Sequence, residues 1–77
     1  MNNLTETLLC ATVLESRKDS LLVSDNATNQ QIVVHAQDAP CYAVGCRVCI
    51  HFNGVMTLSL PPQIAADRIT LLSPASC

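Results

Sequence analysis

One segment constrains the fold of this chain more than any other. Across residues 44–53, V-G-C-R-V-C-I-H-F-N, the residues Val44, Cys46, Val48, Ile50 and Phe52 alternate with Arg47, Cys49, His51 and Asn53. Side chains on a strand point alternately to opposite faces, so this pattern describes a β-strand with an apolar face and a polar one. Gly54 stops the run. Length adds a second constraint. A chain of 77 residues forms one domain, and near that size the gain from burial barely exceeds the cost of ordering the chain. Disulfides, a metal or a second subunit are the usual reinforcements, and five cysteines make all three conceivable.

The remaining strands follow the same logic. Aliphatic residues and cysteine must build the core, because Tyr42 and Phe52 are the only aromatics in a chain that is 49% apolar. Val and Ile favour strands, since the pleated surface accommodates β-branching. Residues 8–15 are expected as the first strand, with Leu8, Cys10, Thr12 and Leu14 on one face and Leu9, Ala11 and Val13 on the other. Cys10, among apolar neighbours, is expected in the core. A polar turn, Ser16-Arg17-Lys18-Asp19, leads to a second strand over 20–24. Asp25-Asn26-Ala27-Thr28-Asn29 is rich in residues that make turns through side-chain to backbone bonds, and a third strand follows over 30–36. Short connections of this kind mark an antiparallel meander.

Residues 37–43, with Pro40, read as a loop or a single helical turn. The fourth strand covers 45–53. Residues 55–60 extend its pairing until Pro61-Pro62 ends it, because proline cannot donate to a ladder. Residues 63–66 are expected as one helical turn and 67–72 as the last strand. Five or six short strands leave exposed edges unless the sheet closes on itself. The expected fold is therefore all-β, a small five- to six-stranded OB-like Greek-key barrel, with an SH3-like barrel as the alternative. The barrel spans 8–72 as one domain, with 1–7 and 73–77 as flexible termini.

Charge narrows the function. Arg17, Lys18, Arg47 and Arg68 stand against six scattered acids, for a net charge of −2. The basic stripe and the stacking aromatics that carry nucleic-acid affinity are both missing, so nucleic acid is not the expected partner. The longest apolar run, 8–14, is too short to cross a bilayer. It makes a poor signal peptide, with no Lys or Arg ahead of it, and Leu8 and Leu9 stand where a lipid-attachment site at Cys10 would need small residues. The expected location is cytoplasmic with reduced thiols, or secreted or surface-anchored if a leader has been removed.

Cys46-Arg47-Val48-Cys49 is formally a Cys-x-x-Cys, the spacing of zinc knuckles and redox pairs. On a strand, however, residues three apart face opposite ways. Cys46 belongs with the core as a small apolar residue, and Cys49 with the polar face. Cys49 and His51 are two apart on that face, about 7 Å along the strand. With His35, also expected to point outward, they could share a metal only if the third and fourth strands met, which an OB topology does not allow. No cofactor or metal is therefore assigned. A Cys–His pair without an orienting third group or oxyanion donors does not make a nucleophilic site, so no catalytic residue is assigned and the chain is not expected to be an enzyme. Cys41, beside Pro40, is expected to be an exposed thiol, and Cys77 is terminal.

Two motifs carry a resemblance. Val44-Gly45-x-x-Val48-x-Ile50-x-Phe52-x-Gly54, followed by Ser59-Leu60-Pro61-Pro62-Gln63-x-x-Ala66-x-Arg68-Ile69, resembles a small domain of unknown function. That family occurs in Gram-positive bacterial proteins, including secreted lipoproteins of the bacilli, where a Gly-x-x-Val strand precedes a Ser-Tyr-Pro-Ala-Gln-like turn. The likeness is close over 44–69 and loose over 9–72. It implies an OB-like barrel and no known catalysis. The chain departs from the pattern in Leu60, which replaces the aromatic, and in its many cysteines, and it is expected to lack the leader and the lipid-attachment cysteine.

The expectation is then a non-catalytic binding or assembly module. Arg47, Cys49 and His51 are its candidate ligand-binding residues, and Gln63 is a corner hydrogen-bonder. The partner would be a protein or a small ligand. The alternatives are a metal- or thiol-responsive protein using Cys49 and His51 with a further cysteine, and a homo-oligomer, such as a homodimer, burying Val55, Met56 and Leu58 against a second copy.

Overall fold

The computed structural model describes residues 7–73, and these form an all-β fold. The strands are β1 (Thr7–Ser16), β2 (Ser20–Asp25), β3 (Gln31–His35), β4 (Arg47–Phe52), β5 (Gln63–Ala65) and β6 (Arg68–Ser73), and one 3-10 turn spans Ala39–Cys41. They form a single curled sheet in the order β5-β3-β2-β1-β4-β6. The first three strands make the expected antiparallel meander, and β4 returns to pair antiparallel with the free side of β1. Three hairpin-linked strands with a fourth lying back beside the first is the Greek-key arrangement. As expected for an OB-like barrel, β3 and β4 are not paired.

The last eleven described residues link the two ends of the curled sheet. β5 pairs in parallel with β3, whereas β6 pairs antiparallel with β4, at the opposite end of the sheet order. Only Ala66 and Asp67 separate the two. Ala66 N–H donates to the His35 carbonyl (3.0 Å) and Asp67 N–H to the His51 carbonyl (2.7 Å). One continuous segment therefore crosses from one side of the curled sheet to the other and gives it its barrel-like form.

The core lies inside that curl. Ala11 and Val13 of β1, Leu21 and Val23 of β2, Ile32 and Val34 of β3, Val48, Ile50 and Phe52 of β4, and Ile64 of β5 are all buried. Every one follows the period of two, so alternation alone assigns the inner face. Cys46 is buried with them as expected, while Val44, assigned to the same face, is exposed because it precedes the strand. The turn after β2 is built as its composition requires: Ala27 N–H donates to Asp25 Oδ1 (2.8 Å), and Asn29 adopts φ 64°.

Three local expectations are corrected. Residues 63–66 are not a helical turn, because Gln63–Ala65 is held extended against β3 and Ile64 anchors it in the core. Residues 55–60 do not extend β4. Their polar side chains bond within the loop instead, and the Leu60–Pro61 peptide is cis. Cys10 is not in the core: it lies on the outer face of β1, half-buried, with Leu9, Ala11 and Val13 turned inward. β1 begins at Thr7 and β6 runs to Ser73; the expectations for 1–6 and 74–77, Cys77 included, lie outside the described residues.

Candidate functional site

Arg47, Cys49 and His51 do share the outer face of β4, at alternate positions. The register places Thr12, Cys10 and Leu8 of β1 beside them on one side, and Ser73, Thr70 and Arg68 of β6 on the other. Cys49 is directly opposite Cys10, and the two form a disulfide. The expectation of reduced thiols, and of Cys49 as an outward thiol on a solvated face, is overturned at this pair. Cys49 is only 6% exposed, closed over by Cys10, and its sulfur is not a thiolate that can ligate a metal or attack a substrate. Strand alternation shows that Cys46 and Cys49 cannot pair across faces. It says nothing of which strand will lie beside Cys49, and that is what decides the disulfide.

The histidines are separated as well. His51 Nε2 lies 3.2 Å from Thr70 Oγ1 on β6, whereas His35 Nε2 lies 2.7 Å from Gln63 Oε1 on β5. Among the described residues no three His, Cys, Asp or Glu side chains come together as a metal site. Gln63 does act as a corner hydrogen-bonder. Besides holding His35, its N–H donates to Thr57 Oγ1 (2.9 Å), and its carbonyl accepts from Thr57 N–H (3.0 Å).

Two further features are candidates. The first is an open cleft of about 800 Å³ where the β1–β2 turn, the end of β3 and the β5–β6 junction meet. Its polar lining is Asp19, His35, Gln37, Asp38, Asp67 and Arg68. Beside it, the Tyr42 hydroxyl lies 3.2 Å from both Asp38 Oδ2 and the Ile69 carbonyl, so its one proton ties the 3-10 turn to β6. Burial, then the neighbouring Asp38 charge and that hydrogen bond, raise the Tyr42 pKa above the ordinary tyrosine value.

The second is the loop 53–62 between β4 and β5. Leu58 is 101% and Leu60 92% exposed, and Val55 and Met56 are exposed beside them. Residues 52–66 carry no charge. The loop backbone is tied down from within. Val55 N–H donates to Asn53 Oδ1 (2.9 Å), Thr57 Oγ1 and Ser59 Oγ are 2.7 Å apart, and Ser59 Oγ donates to the Pro61 carbonyl (2.9 Å). With the Thr57–Gln63 pair at its base, this is an apolar knob with its own polar bracing. The signal was present in the sequence as Val-Met-Thr-Leu-Ser-Leu, whose alternation reads equally well as a strand. Only the bonding of Thr57 and Ser59 inside the loop separates the two.

No family model matches the chain, and no curated protein or solved structure matches it either.

Proposed function

We propose that this chain is a non-catalytic binding module, a disulfide-stapled barrel that holds the loop 53–62 toward a partner. The observation that carries this reading is the near-complete exposure of Leu58 and Leu60 on a braced loop. Leaving a leucine in water forgoes roughly 1.5–3 kcal/mol of burial, and exposed apolar clusters on small domains mark interaction sites. Bracing favours binding, because a loop already held in shape has less conformational freedom to lose when it docks. Arg47 and His51, on the outer face of β4, flank the staple and are not the centre of this surface.

The Cys10–Cys49 bond supports a place in an oxidising compartment, where disulfides persist. It also weighs against the metal-responsive alternative, because ligation needs Cys49 as a free thiolate.

A photo-crosslinking residue at Leu58, compared with one at exposed Lys18 on the β1–β2 turn, tests the proposal. Irradiating cells that make the protein should yield a discrete adduct from position 58 and none from position 18. Equal yields, or none from either, would exclude the loop as the binding surface.

A further inference from the structure

Independently of the loop 53–62, we infer that the Cys10–Cys49 disulfide is a thiol–disulfide exchange site. It is a two-electron acceptor for external thiols, at which the incoming thiolate bonds to Cys10 and Cys49 leaves. The two sulfurs are not in the core. They stand on the outer face of a single sheet, where Cys10 is half-buried and Cys49 only 6% exposed. A thiolate must reach one sulfur in line with its bond to the other, so access selects the sulfur attacked. Entry at Cys10 comes from the β2 side, where Asn26 N–H donates to the Cys10 carbonyl (3.1 Å). Entry at Cys49 would have to come from the β6 side. There Thr70 is paired directly opposite Cys49, and the His51 ring lies 3.2 Å from its hydroxyl.

Electrostatics favours the same direction. Arg47 and His51 flank Cys49 at alternate positions of β4, each about 7 Å along the strand, and Arg68 stands opposite His51 on β6. An adjacent Arg or protonated His stabilises a thiolate, and a stabilised thiolate leaves faster. Cys10 is flanked on its own strand by Leu8 and Thr12, neither of which does this.

In the first step a thiolate R–S⁻ forms a bond to Cys10 Sγ as the Sγ–Sγ bond breaks, and the electron pair goes to Cys49. A second thiolate then attacks the R sulfur, which releases R–S–S–R and leaves Cys10 as a thiolate. The two protein thiolates take up the protons that the two external thiols gave up. Two thiols are oxidised and one disulfide is reduced. No backbone pair of the β1–β4 ladder has to open, because the sulfurs project from it.

Glutathione is the probe. Iodoacetamide first caps the thiols accessible in the native chain, exposed Cys41 among them. The oxidised protein then meets excess glutathione and is quenched with N-ethylmaleimide, which captures Cys49 before it re-closes the bond, and peptide masses locate the labels. The first adduct should carry glutathione on Cys10 and N-ethylmaleimide on Cys49. Its rate should be proportional to glutathione concentration and unchanged by urea well below the unfolding midpoint. Arg47→Gln with His51→Gln, measured where the variant is still folded, should slow the exchange about threefold or more. Glutathione on Cys49, a rate that climbs with urea as unfolding does, or an undiminished rate in the folded variant would each overturn the inference.

Discussion

Gly54 and Tyr42 each hold a junction that no other residue type would hold as well. Gly54 has φ +89°, and a Cβ there would meet Thr7 Oγ1 at 2.9 Å. Gly54→Ala should therefore cost roughly 1–2 kcal/mol, the penalty of a left-handed conformation for an L side chain, read as a lower urea midpoint. At Tyr42 the hydroxyl proton joins Asp38 to the Ile69 carbonyl. Tyr42→Phe removes it and should cost about 1 kcal/mol at neutral pH. The pH dependence has a fixed sign. Folding raises this pKa, so the folded state holds the proton more tightly. The stabilisation is then complete below the unfolded tyrosine value of about 10 and is lost as pH climbs through the raised folded value. Urea titrations across that alkaline range should show the wild-type chain losing its advantage over Tyr42→Phe as pH rises.

Among the elements, β1 and β4 gain most from a contact that the pattern did not reveal. Their pairing is bolted by Cys10–Cys49, residues 39 apart in sequence. Closing a loop of that length restricts the unfolded chain enough to contribute about 4 kcal/mol. Cys10→Ala with Cys49→Ala should lower stability by about that much, a large fraction of what a domain this size possesses. In the native oxidised protein, exposed Cys41 should alkylate quickly and buried Cys46 only on unfolding, while Cys10 and Cys49 label only after reduction. Strands with clear alternation, from Ala11 and Val13 through Val48, Ile50 and Phe52, were legible because one face is buried along their length. β5 was not. Three residues are too few to show a period, and Gln-Ile-Ala suits a helical turn until β3 is beside it. The Cys10–Cys49 pair was hidden for a related reason: partners across a sheet follow from topology, and topology is not written in local spacing.

For the molecule as a whole, the link between the two ends of the curled sheet depends on the segment with the weakest sequence signal. β5 contributes one fully committed core side chain, Ile64, at 2% exposure. On either side of it, Val33 N–H donates to the Pro62 carbonyl (2.9 Å) and Ala66 N–H to the His35 carbonyl (3.0 Å). Those bonds attach the loop 53–62 and the β5–β6 segment to β3, so Ile64 fixes both the seam between β5 and β3 and the base of the candidate binding surface. Ile64→Ala leaves a cavity under that seam and should cost about 2–5 kcal/mol. The loss should not be uniform. β1 pairs with β2 over residues 11–16 and with β4 over residues 7–12, and it is tied to β4 by the disulfide, whereas β5 has three paired positions and one anchor. Hydrogen exchange on Ile64→Ala, at a temperature where it is still folded, should show the amides of Val33 and Ala66 exchanging far faster than in the wild type. Amides of Val13 and Val23 should keep their protection relative to global unfolding. Uniform loss across all four would mean that the seam opens only when the whole barrel does, and that β5 is as integral to the sheet as the strands that the sequence announces.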